Sequence, residues 1–317
     1  MKKQTLGNSS LSVAPIAFGA NVFGWTLNEK ESFYILDQFV DNGFNLIDTA
    51  DTYSTWVPGN KGGESETIIG NWLKQGAKRD RIILATKLGG DMGQGKKDLS
   101  AKYMKEAVEQ SLTRLQTDHI DLYQSHYDDL DTPQEETLEA FNQLVQEGKV
   151  RYIGASNLSA DRIESALQIS KENNWAQYIS IQPLYNLYDR EKFETEYADL
   201  VKKHNLAVLN YYALASGFLS GKYRNENDLS LSQRGGGVKK YLGERGFRIL
   251  SALDTLALKY DTSQATIAIA WLLHKPEVTA PIASATNQHQ LFELLKAADQ
   301  KLTKEDMQYL DQASAWR

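Results

Sequence analysis

The chain has 317 residues, 41% of them hydrophobic and 24% charged, with a formal net charge of -6 and no long run of one sign. That balance calls for a packed core rather than disorder, and it argues against a nucleic-acid or anionic-membrane partner. The sequence contains no cysteine, so it offers neither a disulfide framework nor a thiolate metal site, and no apolar run approaches the ~20 residues needed to span a bilayer.

The opening MKKQTLGNSS is basic but lacks the apolar stretch of a signal peptide, which makes the cytoplasm the expected location. Short apolar or β-branched runs then recur at 13–19, 44–49, 82–87, 120–126, 150–156, 178–183, 207–213 and 279–283, and read as strands. Amphipathic stretches near 30–42, 64–76, 100–116, 133–148, 159–173, 189–204, 246–260 with 263–274, and 287–298 read as the helices that follow them. A final helix is expected near 303–315. Thr132 before Pro133, Ser159, Thr262 and Thr303 mark helix starts, and Gly43 and Gly148 mark stops. The five histidines (His119, His126, His204, His274, His289) show no HxxxH or HExxH spacing, so no metal site is expected.

Eight strand–helix units with largely apolar strands predict a (β/α)₈ barrel, the TIM-barrel architecture. A doubly wound sheet would call for GxGxxG after the first strand, and that turn is absent. No low-complexity linker divides the chain, so residues 1–317 are expected to form one domain. The stretch 214–245, rich in Gly, Ser, Lys and Arg with GGG at 235–237, is expected to be a long lid or binding loop.

Asp48, Tyr53, Lys87 and His126 fall at or just past the ends of three successive predicted strands. In a (β/α)₈ barrel such positions converge on one face. Together these residue types can protonate a carbonyl oxygen. An ammonium at Lys87 stabilises the phenolate of Tyr53 and draws its pKa down from ~10. A carboxylate at Asp48 keeps a buried lysine charged, and His126 can orient the carbonyl. Singly, each has a plainer reading: Asp48 as a turn cap, Tyr53 as a loop aromatic, Lys87 as a surface-reaching lysine, His126 as a core histidine. Their joint placement favours a carbonyl reductase.

The segments IDTADTY, ATK, DLYQSH, IGASN, SIQPLYNLYDR and LSGKY, in this order, resemble the aldo-keto reductase superfamily, in particular its bacterial and potassium-channel-β-subunit-like branch. The resemblance runs from LGNSSLSVAPIAFGAN to PIASATNQHQL. It implies a barrel reductase that uses a nicotinamide cofactor without metal, and it places the family's catalytic tetrad on Asp48, Tyr53, Lys87 and His126. It also implies that Ser156, Asn157 and Gln182 hold the nicotinamide carboxamide and that Tyr211 stacks on its ring. Leu214, Ala215, Ser216 and Gly217 with Lys222 would wrap the pyrophosphate. Gly19, Ala20 and Asn21 would lie beside the ribose and nicotinamide, and Ser284, Thr286, Gln290 and Glu293 would cradle the adenosine phosphate. Arg234 matches the place of an arginine that binds the 2'-phosphate. NADPH is the cofactor this implies, with NADH as the alternative.

Several positions depart from the family pattern. Ser54 replaces the usual glycine after the tyrosine, an added WVPGNKGG follows, Tyr212-Ala213 replaces Ser-Pro, and Ser284, Thr286 and Asn287 lack a Lys or Arg. Phe23, Trp25, Trp56, Tyr127 and Tyr185 are the expected walls of a pocket for a small aldehyde, ketone or sugar, or for an alcohol in reverse. The resemblance leaves open an alternative, a nicotinamide-loaded redox sensor that docks on a partner. It does not fix the oligomeric state.

Overall fold

A computed structural model describes residues 1–316. Its strands are β1 (Gln4–Thr5), β2 (Ser12–Val13), β3 (Ala17–Gly19), β4 (Leu46–Asp48), β5 (Ile83–Leu88), β6 (Ile120–Ser125), β7 (Val150–Ser156), β8 (Tyr178–Gln182), β9 (Ala207–Val208) and β10 (Ile282–Ala283). Its α-helices are α1 (Glu29–Asp41), α2 (Glu64–Leu73), α3 (Ala101–Leu115), α4 (Gln134–Gln146), α5 (Ala160–Glu172), α6 (Ala198–His204), α7 (Glu244–Tyr260), α8 (Gln264–Leu273), α9 (Gln288–Lys296) and α10 (Lys304–Ala313).

Eight strands pair in parallel in the order β10-β3-β4-β5-β6-β7-β8-β9. The ring is closed by Ala280 N donating to Val208 O at 3.2 Å and Ile282 N to Asn210 O at 2.9 Å. This is the (β/α)₈ barrel that the alternating pattern predicts. Every residue of β5 and β6 is buried, as both faces of a covered parallel strand must be.

Two apolar layers follow from the period of two along each strand. Leu46, Ile83, Ala85, Leu122 and Ile282 point into the barrel and pack with Leu6, Leu11 and Val13. Ile47, Leu84, Phe18 and Tyr123 point outward against the helices. The antiparallel pair β1–β2 carries Leu6, Leu11 and Val13 beside or between its strands, and so plugs the lower end of the barrel.

The alternation also sets the upper end. Asp48 is paired with Ala85, and Lys87 with Gln124, so the inward series Leu46–Asp48 and Ile83–Ala85–Lys87 turns from apolar to charged at its last member.

The structure amends several expectations. Pro15 interrupts the run 13–19, giving Ser12–Val13 to the hairpin and leaving Ala17–Gly19 as the barrel strand. Ser263 caps α8 by accepting from Thr266 N, in place of Thr262. Thr132 donates to Asp129 at 2.7 Å instead of capping α4, while Ser159 and Thr303 cap as expected. A π-helical turn at Phe193–Tyr197 precedes α6. The stretch 214–245 is built of 3₁₀ turns at Ala215–Ser220, Glu226–Leu231 and Gly235–Tyr241, and then enters α7.

Candidate active site

Four expected residues meet at the upper end of the barrel. Lys87 Nζ donates to Asp48 Oδ2 at 2.7 Å, to Thr49 O at 2.7 Å and to the Tyr53 hydroxyl at 2.9 Å. Lys87 is 0% and Asp48 1% exposed, so the ion pair is fully desolvated. A buried ion pair persists only when its remaining capacity is filled. Here Asp48 Oδ1 also accepts from Gln182 Nε2 at 2.9 Å and Gln124 Nε2 at 3.2 Å. Tyr53 reaches the group from the loop after β4, its ring 5.9 Å from that of His126. His126 stacks on Tyr127 at 4.5 Å, and its backbone is pinned by Leu88 O and Asn157 Nδ2, each at 2.8 Å.

Burial lowers the Lys87 pKa, opposed by Asp48, and it holds His126 well below its ordinary value of 6.5, helped by the Lys87 charge. Burial pushes the Tyr53 phenol well above 10.0, reinforced by Asp48. This reverses the downward shift expected from Lys87 alone. The ammonium is shared with Asp48 and Thr49 O, and the carboxylate disfavours a second negative charge beside it. In its resting form Tyr53 is a neutral phenol already in contact with the cation that would stabilise its anion.

Asp51 lies behind this group, 2% exposed, with no hydrogen bond to either carboxylate oxygen among the described residues. Burial pushes its pKa well up, and nearby Glu66 adds to the shift. Glu66 is itself paired with Arg114 at 2.7 Å.

A cleft of about 1100 Å³ runs from Asp48, Tyr53 and His126 to the start of α9. Gly19, Asn21, Ser156, Asn157, Gln182, Tyr211, Leu214, Ser216, Gly217, Lys222, Arg234, Ser284, Thr286, Gln290 and Glu293 all line it. Ala20 and Ala215 do not; both are fully buried beneath it.

Of the five expected pocket aromatics, Trp56 and Tyr127 line the cleft. Phe23 and Tyr185 are corrections: Phe23 stacks on Phe18 in the core, and Tyr185 packs on Phe193 and Trp271 with its hydroxyl on Glu194. Trp25 stands behind the wall, edge-on to Trp56 at 5.5 Å. Thr52 and Lys97, which the sequence reading does not single out, also line the cleft, as does Tyr212, noted there only as a departure from the family pattern. Adjacency to Tyr53 and Tyr211 was the available signal for Thr52 and Tyr212.

Arg234 lies against this wall. Its guanidinium stands 5.1 Å from the Trp25 ring. With the Asn21 amide nitrogen donating to Ser284 Oγ at 2.8 Å, the Asn21 oxygen accepts from Arg234 Nη2 at 3.1 Å.

A profile of the Aldo/keto reductase family matches residues 15–315. The chain belongs to this family. It is 34% identical to "Uncharacterized oxidoreductase YrpG" of Bacillus subtilis, over 98% of this chain and 95% of the relative. It is 34% identical to "Probable voltage-gated potassium channel subunit beta" of Arabidopsis thaliana, over 94% and 92%. It is 31% identical to "Versiconal hemiacetal acetate reductase" of Aspergillus parasiticus, over 98% and 96%. Aldo-keto reductases use nicotinamide cofactors and act on small carbonyl substrates. No described helix of this family member is long and apolar enough to cross a membrane.

The cleft of this aldo-keto reductase suits an extended dinucleotide. At Gly19 an added Cβ would lie 2.8 Å from Ser284 Oγ and 2.9 Å from Ile282 Cγ2, so only glycine leaves that wall open. Ala215, Ser216 and Gly217 take successive left-handed φ values of 48°, 58° and 92°. For Ala and Ser that conformation costs ~1–2 kcal/mol each, and strain of this kind collects where backbone must meet a ligand. Lys222 stands beside this turn, and neither Lys222 nor Arg234 has a carboxylate partner among the described residues.

Proposed function

We propose that this aldo-keto reductase transfers hydride between NADPH and a small aldehyde, ketone or sugar carbonyl, with Tyr53 as the acid in reduction and the base in oxidation. The observation that carries this reading is the buried Lys87 Nζ, 2.7 Å from Asp48 Oδ2 and 2.9 Å from the Tyr53 hydroxyl. A phenol held only for packing does not call for a desolvated ammonium at its oxygen.

The nicotinamide cofactor, when bound, supplies the hydride. The chain's own residues manage the proton. A carbonyl oxygen beside Tyr53 and His126 receives a hydrogen bond from the imidazole, which stays neutral. As negative charge develops on that oxygen, the phenol proton moves to it and the phenolate is stabilised by Lys87. Asp48, fixed by Gln124 and Gln182, keeps Lys87 charged and in place. Trp56 and Tyr127 form apolar walls for the rest of the substrate.

The left-handed turn at 215–217 with Lys222 suits the cofactor pyrophosphate. Ser156, Asn157 and Gln182 suit the carboxamide, Tyr211 the nicotinamide face, and Asn21 the adjoining ribose. The start of α9 with Thr286 and Gln290 suits the adenosine phosphate, and Arg234, joined to Ser284 through Asn21, adds the positive charge that favours NADPH over NADH. We place the activity in the cytoplasm and in a single domain.

A redox-sensing role is a second reading, favoured by the similarity to the Arabidopsis protein named as a channel β subunit. A panel of carbonyl and alcohol substrates, followed by nicotinamide absorbance with both cofactors, separates the two. Turnover that is lost in Tyr53→Phe with cofactor binding retained supports the reductase. Tight cofactor binding with no turnover on any substrate supports the sensor.

A further inference from the structure

Within the reductase reading, the role of His126 depends on which ring nitrogen carries its proton, because a neutral imidazole has one donor and one acceptor. The Thr52 hydroxyl lies 3.3 Å from His126 Nδ1. Thr52 is one residue before Tyr53, on the same loop, and lines the same cleft.

The bond has a direction. Nδ1 is the only hydrogen-bond partner of Thr52 Oγ1 among the described residues. If Nδ1 carried the proton and donated to Oγ1, the threonine O–H would have no acceptor among the described residues and would have to turn to the cleft. If Thr52 donates to Nδ1, the hydroxyl proton and the nitrogen lone pair are satisfied together. Only the second arrangement pairs the hydroxyl proton and the nitrogen lone pair within the protein, and it is the one the geometry favours.

Packing restricts the alternatives. A Cβ on Gly90 would fall 2.4 Å from Thr52 Cγ2, so the backbone at Gly90 lies close against the threonine methyl. The imidazole is clamped by Tyr127 on its face, and its backbone is fixed at both N and O. Neither side chain is free to swing to another partner.

We propose that Thr52 is a positioning residue that sets the tautomer and the ring orientation of His126: its hydroxyl donates to Nδ1, which places the imidazole proton on Nε2. Nε2 makes no hydrogen bond to the described residues and is the nitrogen left to donate to a carbonyl oxygen. The low pKa of His126, set by burial and by the Lys87 charge, agrees with a neutral ring that keeps one donor and one acceptor.

The test is ¹⁵N NMR of the full chain labelled at histidine, with the His126 signals identified by their loss in His126→Gln. The expected wild-type spectrum at neutral pH has Nε2 protonated and Nδ1 unprotonated, with Nδ1 shifted as a hydrogen-bond acceptor. In Thr52→Val, which keeps the shape and removes the hydroxyl, the Nδ1 signal should move to that of an unbonded nitrogen. kcat/KM for carbonyl reduction should then fall about two- to tenfold, the worth of one neutral hydrogen bond, with cofactor Kd unchanged. Thr52→Ser should restore both the signal and the rate.

A proton on Nδ1 in the wild type overturns the proposal whatever the Thr52 variants do. An Nδ1 signal unmoved in Thr52→Val overturns it equally. The NMR readout does not depend on turnover. A wild type with the expected tautomer but no activity on any carbonyl would sink the reductase reading and leave the Thr52 bond standing.

Discussion

Arg234 and Trp25 join two parts of the barrel mouth that are distant in sequence: the guanidinium carbon stands 5.1 Å from the indole centroid. Trp25 continues edge-on to Trp56, and Trp56 edge-on to Tyr53, at 5.5 Å and 6.2 Å. A row of rings therefore links the 3₁₀-turn segment at the cleft to the candidate acid.

This linkage predicts two distinguishable variants. Arg234→Ala should weaken NADPH binding by about ten- to a hundredfold, the usual worth of charged hydrogen bonds, and NADH binding by much less. Trp25→Ala removes the stacking partner and leaves the charge. It should weaken NADPH binding by about two- to thirtyfold, the range of a cation–π contact, and NADH binding by much less, a smaller loss of the same selectivity than in Arg234→Ala. Equilibrium titration with each cofactor checks this. An NADPH preference unchanged in Arg234→Ala would show that the 2'-phosphate is held elsewhere.

The pH profile of carbonyl reduction follows from two shifts of opposite sign. Reduction needs Tyr53 protonated, and its pKa lies well above 10.0, so the acid form persists to that limit and is lost only beyond it. It needs His126 neutral, and the pKa of that group lies well below 6.5, so the neutral form persists down to that limit. kcat/KM should therefore be flat from pH 6.5 upward until Lys87, whose pKa burial lowers from 10.5, loses the charge that stabilises the phenolate. Tyr53→Phe should lower kcat by at least ~100-fold without changing cofactor Kd, and Lys87→Met should do comparable damage. A break near neutrality would assign the proton step to another group.

The barrel was legible because each strand carries its own signal. FNLIDT and IILATK alternate inward and outward residues, and a charged side chain at the inward, upper end of an otherwise buried strand has few explanations. For the same reason Asp48 and Lys87 were readable as a pair before any distance was known. The hairpin was not readable, since Gln4–Thr5 and Ser12–Val13 are too short to show a period. Phe23 and Trp25 look alike in sequence, and only the path of the chain after the turn at Ala20–Val22 puts Phe23 in the core and Trp25 behind the cleft wall. The direction of the Tyr53 shift needed the structure too, because it turns first on how fully the fold buries the phenol and then on Asp48 beside it.

Gly19 ties the barrel's closure to the cleft. It ends β3, and its missing side chain lets Ser284 Oγ donate to Gly19 O at 2.7 Å. In Gly19→Ala the new methyl would meet Ser284 Oγ at 2.8 Å and Ile282 Cγ2 at 2.9 Å, so these two side chains would have to turn away or β3 and β10 move apart. Overpacking of this kind costs ~1–3 kcal/mol. Thermal unfolding should show that loss, and the cofactor Kd should rise with it because Asn21 and Ser284 move together. A variant with wild-type Tm and Kd would mean that this wall is soft.

Asp51 provides a stability test separate from turnover. Its carboxyl is buried, unbonded, and raised well above 3.8 by desolvation and by Glu66. An acid with a raised native pKa binds its proton more tightly folded than unfolded. Between its unfolded pKa, near ~3.9, and its native pKa, the native state holds more protons, so stability falls as pH rises through that window and levels off above it. Asp51→Asn cannot titrate, so its stability should decline less than wild type between about pH 4.5 and pH 8, by at most ~1.4 kcal/mol for each unit of native shift that falls within that window. Urea unfolding of both proteins across this range measures the difference directly. Parallel curves would show that Asp51 is ionised in the fold, with a partner among the buried groups around it.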